Sequence, residues 1–506
     1  MKYFIVLITF FCTFNAIAQP GFNKFYDLGY KVSGFINVVC LHDTLYIAGM
    51  VQDENNLQAA ALIIADTNGN IISLYPYFDP NGFDLGFGIN YDIKVLPDGN
   101  IIFLFGKISN NDTYLFNFNP STSTFYISEI EFPDFSDYNI YLDEIELYKD
   151  GLLISGVVLD TNNILLSCLI YTDYDGHIRW MKRYGHPPDY HEYQPCLRVI
   201  DDNTILLGSA LHTVIMNTGI FNSHLFAVDS LGIIKNVEWE NDTTTKEFYI
   251  FDVQPLADGG LLLVNKQLEF QPGTYSLAWS AVVRLDSVRN VVWRKRISPN
   301  TWLFTAAYDL QPSPDGHWMV VEHVSFSPKN PLAPVQEAGC ITKFNDSGDI
   351  IWQTCDSVRW NLSVLTRSND YVSALAVLPS GSSVLAGYST FEIPGPVRGY
   401  AWLMKVDANG CMDAPCVVGT TTAEVQPLYL SVYPNPAARS TVIELPDNMG
   451  AGYLRICNAL GDQVYQARIS AGTRQYQVGL EGFVSGMYYV YIETVEGRAC
   501  RKLMVR

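Results

Sequence analysis

The chain has 506 residues, a formal net charge of −20, and a composition that is 48% hydrophobic and 13% aromatic. That length suits one large domain with a small one beside it, and the apolar content excludes a disordered chain. The acidic residues are dispersed rather than clustered, which excludes nucleic acid as a partner, because phosphate binding needs a basic footprint.

The chain opens on a targeting segment. Lys2 supplies the positive start, an apolar run follows over 3–14, and Ala16-Ile17-Ala18 presents small residues at the positions a signal peptidase reads. Residues 1–18 are therefore read as a signal peptide, cut between Ala18 and Gln19. The run is too short for a membrane anchor and no later stretch is long and apolar enough, so no transmembrane segment is expected.

From there the sequence repeats. A first turn recurs as His42-Asp43-Thr44, Pro97-Asp98-Gly99, Asp150-Gly151, Asp201-Asp202-Asn203, Asp258-Gly259, Pro314-Asp315-Gly316 and Pro379-Ser380-Gly381, each before an apolar run. The spacing of about 52 to 65 residues is that of four-stranded propeller blades. Asp-Gly and Asn tolerate the positive φ of tight hairpins, and the aliphatic runs suit buried strands. A second hairpin reads apolar strand, D-x-x-G, strand with a Trp, as at Trp180, Trp239, Trp293 and Trp352; over 114–127 it is degenerate. These tryptophans are expected to pack between neighbouring blades. Cys340 and Cys355 stand symmetrically about Asp346-Ser347-Gly348 and are placed to face each other across one hairpin, and Cys411 and Cys416 to close a small loop.

The last unit stops at Cys411 without its final strand. Phe22-Asn23-Lys24-Phe25-Tyr26 matches Trp180-Met181-Lys182-Arg183-Tyr184 when the following hairpins are aligned, so the first strand should complete the last blade and remove the open edges. The fold class expected is all-β: a seven-bladed β-propeller closed by the N-terminal strand over 19–416, a linker over 417–427, and a small C-terminal β-sandwich over 428–506. The repeats resemble the degenerate propeller repeats of secreted proteins from the Bacteroidetes and, distantly, quinoprotein and WD-repeat propellers. The quinoprotein docking motif has one more residue between its Asp and Gly, and the sialidase Asp-box sets its aromatic one residue nearer the Gly, so neither chemistry is implied.

The C-terminal stretch carries Tyr433-Pro434-Asn435-Pro436-Ala437, a central strand and turn through Gly461, the strand Gly486-Met487-Tyr488-Tyr489-Val490, and a terminal Lys502-Leu503-Met504-Val505. Together these resemble the type A sorting domain of the type IX secretion system. The resemblance implies the type IX machinery as partner, passage through the periplasm and outer membrane, removal of the domain, and a secreted or cell-surface destination.

For a site, the residue seven before each first-hairpin turn glycine is acidic in several units: Asp92, Glu144, Asp252 and Asp309, with Asn37, Cys196 and Ala374 as equivalents. One reading is a partial ring of oxygen ligands for calcium. The preferred reading is structural, each carboxylate capping backbone N–H groups within its own blade. The stretch His186-Pro187-Pro188-Asp189-Tyr190-His191-Glu192-Tyr193 reads as a polar loop suited to touching sugars; it is not HExxH. No nucleophile elbow, phosphate loop or triad is present, so no catalytic residue is assigned. The function expected is a non-enzymatic exported propeller that binds a glycan or another surface or matrix ligand, protein included. The alternatives are a polysaccharide hydrolase or lyase acting at the channel mouth, and a structural surface component.

Overall fold

The structure, a computed structural model, describes residues 21–86, 92–108, 112–132, 139–161, 164–185, 190–213, 221–240, 247–269, 277–298, 304–326, 336–356, 368–391, 398–412, 430–445, 452–458, 463–494 and 498–506. The signal segment with Ala18 and Gln19, the linker over 417–427, and Cys416 lie outside the described residues. Those described are strands and turns, and none is helical. The chain divides into two compact units, Met1–Asp413 and Ala414–Arg506.

In the larger unit, antiparallel strands follow one another in sequence order. Asn139–Tyr148, Gly151–Leu159, Leu165–Thr172 and Ile178–Tyr184 form one four-stranded sheet, and Tyr190–Asp201, Thr204–Thr213, Phe221–Val228 and Ile234–Glu240 form the next. The same order recurs upstream and downstream, with hydrophobic clusters shared by neighbouring sets, as where Leu104 and Leu115 meet Ile145, Ile154 and Ile170. Cys340 and Cys355 are register partners and are joined by a disulfide. Cys411 is also disulfide-bonded.

The D-x-x-G consensus has a local cause. The first residue's side chain accepts N–H bonds from the residues two and four further on: Asp66 from Asn68 and Asn70 at 2.9 and 2.8 Å, Asp229 from Leu231 and Ile233 at 2.9 Å each, Asn345 from Ser347 and Asp349 at 3.0 and 2.9 Å. The glycine three residues on takes the left-handed φ that closes the turn, 74° at Gly69 and 71° at Gly232. Arg289 holds this position in one unit at φ 69° and donates to the Gly259 carbonyl at 2.8 Å.

The glycine also receives the aromatic of the preceding unit. A Cβ on Gly232 would lie 2.9 Å from the Trp180 ring, one on Gly348 2.8 Å from Trp293, and one on Gly410 2.5 Å from Trp352. Trp293 and Trp352 donate their indole N–H to the carbonyls of Asp346 and Ala408 at 3.1 and 3.2 Å. These three tryptophans therefore pack between consecutive units.

The N-terminal strand makes the same junction. Phe22–Tyr26 pairs antiparallel with Arg398–Val406, the last strand of the repeats. Phe22 lies against Gly69, as Trp180 lies against Gly232. Tyr26 donates to the Gly69 carbonyl at 2.6 Å and Tyr184 to the Gly232 carbonyl at 2.9 Å. Val32–Leu41 meets Arg398–Val406 in parallel at Val32 and Gly399, and one core joins Phe35, Leu45 and Ile63 to Ala376, Ala386 and Leu403.

The smaller unit has a three-stranded sheet, Ser431–Tyr433, Ser440–Glu444 and Gln475–Gly479, and a four-stranded one, Gln463–Ile469, Gly452–Asn458, Gly486–Thr494 and Arg498–Val505. One core of Ile443, Leu454, Ile456, Val478, Val490 and Leu503 serves both. The Asn435 amide donates to the Lys502 carbonyl at 2.7 Å and accepts from the Met504 N–H at 2.8 Å. The Tyr-Pro-Asn-Pro motif and the terminal strand are thus two halves of one contact.

Candidate functional site

Asp252 and Asp309 lie within the first strands of their units, Glu247–Pro255 and Phe304–Pro312, Glu144 within Asn139–Tyr148, and Asp92 just before Ile93–Val95. Their carboxylates reach across the units. Glu144 accepts from the Leu197 N–H at 2.7 Å, Asp252 from Leu310 at 2.9 Å, and Asp309 from Leu375 at 3.0 Å. In each case the donor is the residue just after the equivalent position of the next unit. Asp92 accepts from the Asn37 amide at 3.3 Å, which extends the chain of bonds to the first unit. Within their own units, Asp92 accepts from the Ile93 N–H at 2.8 Å and Asp252 from the Val253 N–H at 2.6 Å. The main bonds run instead to the neighbouring unit, whose first strand presents an N–H to them.

A second tier went unrecognised in the sequence. Two residues past each position stand Lys94, Glu146, Arg198, Gln254 and Gln311, on the same strand face by the two-residue alternation of a strand. Lys94 pairs with Asp92 at 2.6 Å and reaches Glu146 at 3.5 Å. Arg198 bridges Glu146 at 2.7 Å and Asp252 at 2.8 Å, and donates to the Val253 carbonyl at 3.0 Å. Gln254 and Gln311 donate to the carbonyls of Leu310 and Leu375 at 2.7 and 2.5 Å. The alternation was the available signal: [DE]-x-[KEQ] recurs at a fixed place in several units.

Electrostatics follow from this layout. Burial opposes the Lys94 charge, but Asp92 and Glu146 outweigh it and hold the ammonium above its usual range. Arg198 is held up in the same way by Asp252 and Glu146. Among the described residues no cation makes an ion pair with Glu144 or Asp309. Burial, reinforced by Asp252 and Asp92, pushes Asp309 up to about 7 and Glu144 well above its ordinary value.

Calcium wants roughly six to eight gathered oxygens. Here the carboxylates are spread over successive strands and already engaged by N–H groups, Lys94 and Arg198, so the four acids do not fit such an ion. Among the described residues, three ligand-type side chains come within 4.8 Å of one another at Asp173, Asp175 and His177. Asp173 there caps its own turn, accepting from the N–H groups of Asp175 and His177 at 3.0 and 2.9 Å.

Residues 186–189 of the polar stretch lie outside the described residues. Its remainder is not a loop but the start of the strand Tyr190–Asp201. Glu192 is buried and accepts from the Ser167 N–H at 3.3 Å and the Ser209 hydroxyl at 3.4 Å. Among the described residues no helix is long and apolar enough to cross a membrane.

A family model described as the secretion system C-terminal sorting domain matches residues 431–506. This domain marks proteins delivered by the type IX system to the cell surface or beyond it, and that is the destination of the chain. No curated protein matches the sequence. Among solved structures, an ulvan lyase of a new polysaccharide lyase family is similar at TM-score 0.47 and 9% identity, over 77% of this chain and 97% of that one. A Penicillium chrysogenum alpha-L-arabinanase is similar at TM-score 0.40 and 12% identity, over 78% and 99%. A protein of unknown function from Dyadobacter fermentans is similar at TM-score 0.42 and 12% identity, over 77% and 98%. At these scores the likeness carries no chemistry over to this chain.

Proposed function

We propose that the chain is an exported, non-enzymatic glycan-binding protein. Its body is a seven-bladed β-propeller over 19–416 whose N-terminal strand completes the last blade. A linker over 417–427 joins it to a β-sandwich sorting domain over 428–506. The pairing of Phe22–Tyr26 with Arg398–Val406 supports the closed ring.

The observation that carries the non-enzymatic reading is the engagement of the central acids. A glycoside-cleaving pair needs one carboxyl free to give a proton and another free to attack or activate water. Here Glu144, Asp252 and Asp309 each hold the backbone of the next unit, and Asp92 is paired with Lys94. This belt serves the ring, and calcium is dispensable to it.

The test incubates the mature chain with a panel of soluble and insoluble polysaccharides, with and without a chelator, and follows retention and new reducing ends together. Retention without new ends, unchanged by chelation, is expected. New reducing ends would replace this reading with a hydrolase or lyase. Loss of retention on chelation would return calcium to the site, and no retention on any polysaccharide would favour a structural surface component.

A further inference from the structure

The destination of the chain requires that its C-terminal unit be recognised, and recognition needs a surface. Each of the two sheets of this unit turns one face to the shared core and one outward. The two outward faces differ in kind. On the three-stranded sheet the side chains are spent on one another. Glu444 accepts from Ser431 at 2.8 Å, from Tyr433 at 3.1 Å and from Gln475 at 3.2 Å, and Gln477 donates to Ser440 at 3.4 Å.

The four-stranded sheet shows solvent a different set. Met487, Tyr489 and Tyr491 alternate along Gly486–Thr494 with the buried Tyr488, Val490 and Ile492, so they share its outward face. Tyr491 stands beside Arg455, Tyr489 beside Lys502, Met487 beside Met504, and Tyr453 beside Arg468. Tyr453 is 45% exposed, Tyr491 39% and Met504 38%, and Arg455, Arg468 and Lys502 are exposed as well. At the end of this face Val464, Phe483, Val484 and Met487 line a groove of about 430 Å³. The outward face of an antiparallel sheet is ordinarily polar. Tyrosine, arginine and methionine are instead the side chains that protein interfaces concentrate.

The charge of the face narrows the partner. Residues 428–506 hold eight Arg or Lys and six Asp or Glu, so this stretch is net +2 in a chain of net −20. Arg455, Arg468 and Lys502 bring positive charge to three of the four strands. Among the described register positions of this face the single acid is Glu493, opposite Arg498. Such a surface is complementary to an acidic one.

We propose that this outward face, with Tyr453, Arg455, Arg468, Tyr491 and Lys502 at its centre and the groove at its end, is the docking surface by which the export route takes hold of the chain. The partner is a protein that presents Asp and Glu side chains to the arginines and apolar ones to the tyrosines and the groove. What the repeats bind does not enter, since the surface lies wholly within the C-terminal unit.

The test fractionates cells that export the full chain and measures the share delivered to the surface. Arg455→Glu with Arg468→Glu should cut delivery about 10-fold or more, and so should Tyr453→Ser with Tyr491→Ser. Arg455→Lys with Arg468→Lys keeps the charge and should be delivered nearly as the parent. Arg439→Glu reverses the charge of an exposed residue beside the three-stranded sheet and should change nothing. Photocrosslinking separates docking from folding. Benzoylphenylalanine in place of Tyr491 should attach, in exporting cells, to a protein whose joined peptide is rich in Asp and Glu; in place of Gln477 it should not. A double variant that melts below the parent is judged by the crosslink alone. Parent-like delivery of both double variants, or an equal loss in Arg439→Glu, overturns the surface, as does a crosslink from Gln477 and none from Tyr491. Binding of the purified chain to lipopolysaccharide vesicles, lost in Arg455→Glu with Arg468→Glu and joined to no protein crosslink from Tyr491, would overturn the protein partner in favour of a phosphate-bearing lipid.

Discussion

Gly410 meets two demands at once. Its φ is 80°, and a Cβ there would lie 2.5 Å from the Trp352 ring. Gly316 has a similar φ of 82° with nothing within 4 Å. Gly316→Ala therefore carries only the backbone strain of a left-handed residue, about 1–2 kcal/mol. Gly410→Ala adds the displacement of a packed indole, a further ~1–3 kcal/mol. Denaturant melts of the two variants separate the terms, and equal losses would show that the Trp–Gly contact contributes nothing. Asp309 gives a second prediction at this scale. Its carboxyl is held up to about 7 in the fold against an ordinary value of 3.8. Across that window the unfolded chain gives up a proton that the folded chain keeps. Stability from this group is greatest below about pH 4, falls as pH rises toward about 7, and is level beyond. Asp309→Asn keeps an oxygen for the Leu375 N–H and removes the charge. The variant should match the parent in melting temperature near pH 4 and exceed it near pH 8; a difference that does not change with pH would refute the buried-carboxyl account.

The N-terminal strand is the element that joins the two ends of the repeats. It pairs along all five of its residues with Arg398–Val406, and Asn23 accepts the indole N–H of the fully buried Trp402 at 2.6 Å. Deleting 22–26 leaves Arg398–Val406 with an open edge and strips the aromatic cover from Gly69. The deletion should lower the melting temperature, broaden the transition and promote association through the new edge. A synthetic peptide spanning 19–28 should reverse all three. Light scattering and melting curves decide it: a deletion that behaves like the parent would mean that the strand closes nothing. This junction was legible in the sequence because its chemistry is local. Phe22, Lys24 and Tyr26 copy the spacing of Trp180, Lys182 and Tyr184, and the D-x-x-G turn caps itself within five residues. The acid belt was legible only in half. The positions of Asp92, Glu144, Asp252 and Asp309 follow from counting back from each turn. Their partners do not, because Leu197 lies 53 residues from Glu144, and Leu310 lies 58 from Asp252.

At the scale of the whole molecule, the repeats and the C-terminal unit each hold their own core, and delivery belongs to the second. Leu454, Ile456, Val490 and Leu503 are buried within that unit, and Asn435 ties its first strand to its last. A unit that folds on its own contacts can be removed without unravelling the rest. Deleting 428–506 should therefore leave the melting behaviour of the repeats unchanged and stop their export, with the protein retained in the periplasm. Fractionation of cells expressing the parent and the deletion, with a melt of each purified product, reads both parts. A deletion that reaches the cell surface as the parent does would refute the role of this unit in delivery. A deletion that is retained because it no longer folds would show instead that the two units are not independent. Asn435→Ala divides these outcomes: it loosens the clasp on the terminal strand by about 1–3 kcal/mol while leaving every contact of the repeats in place. Impaired export with an unchanged melt of the repeats would then trace delivery to the folded form of the C-terminal unit rather than to the mere presence of its sequence.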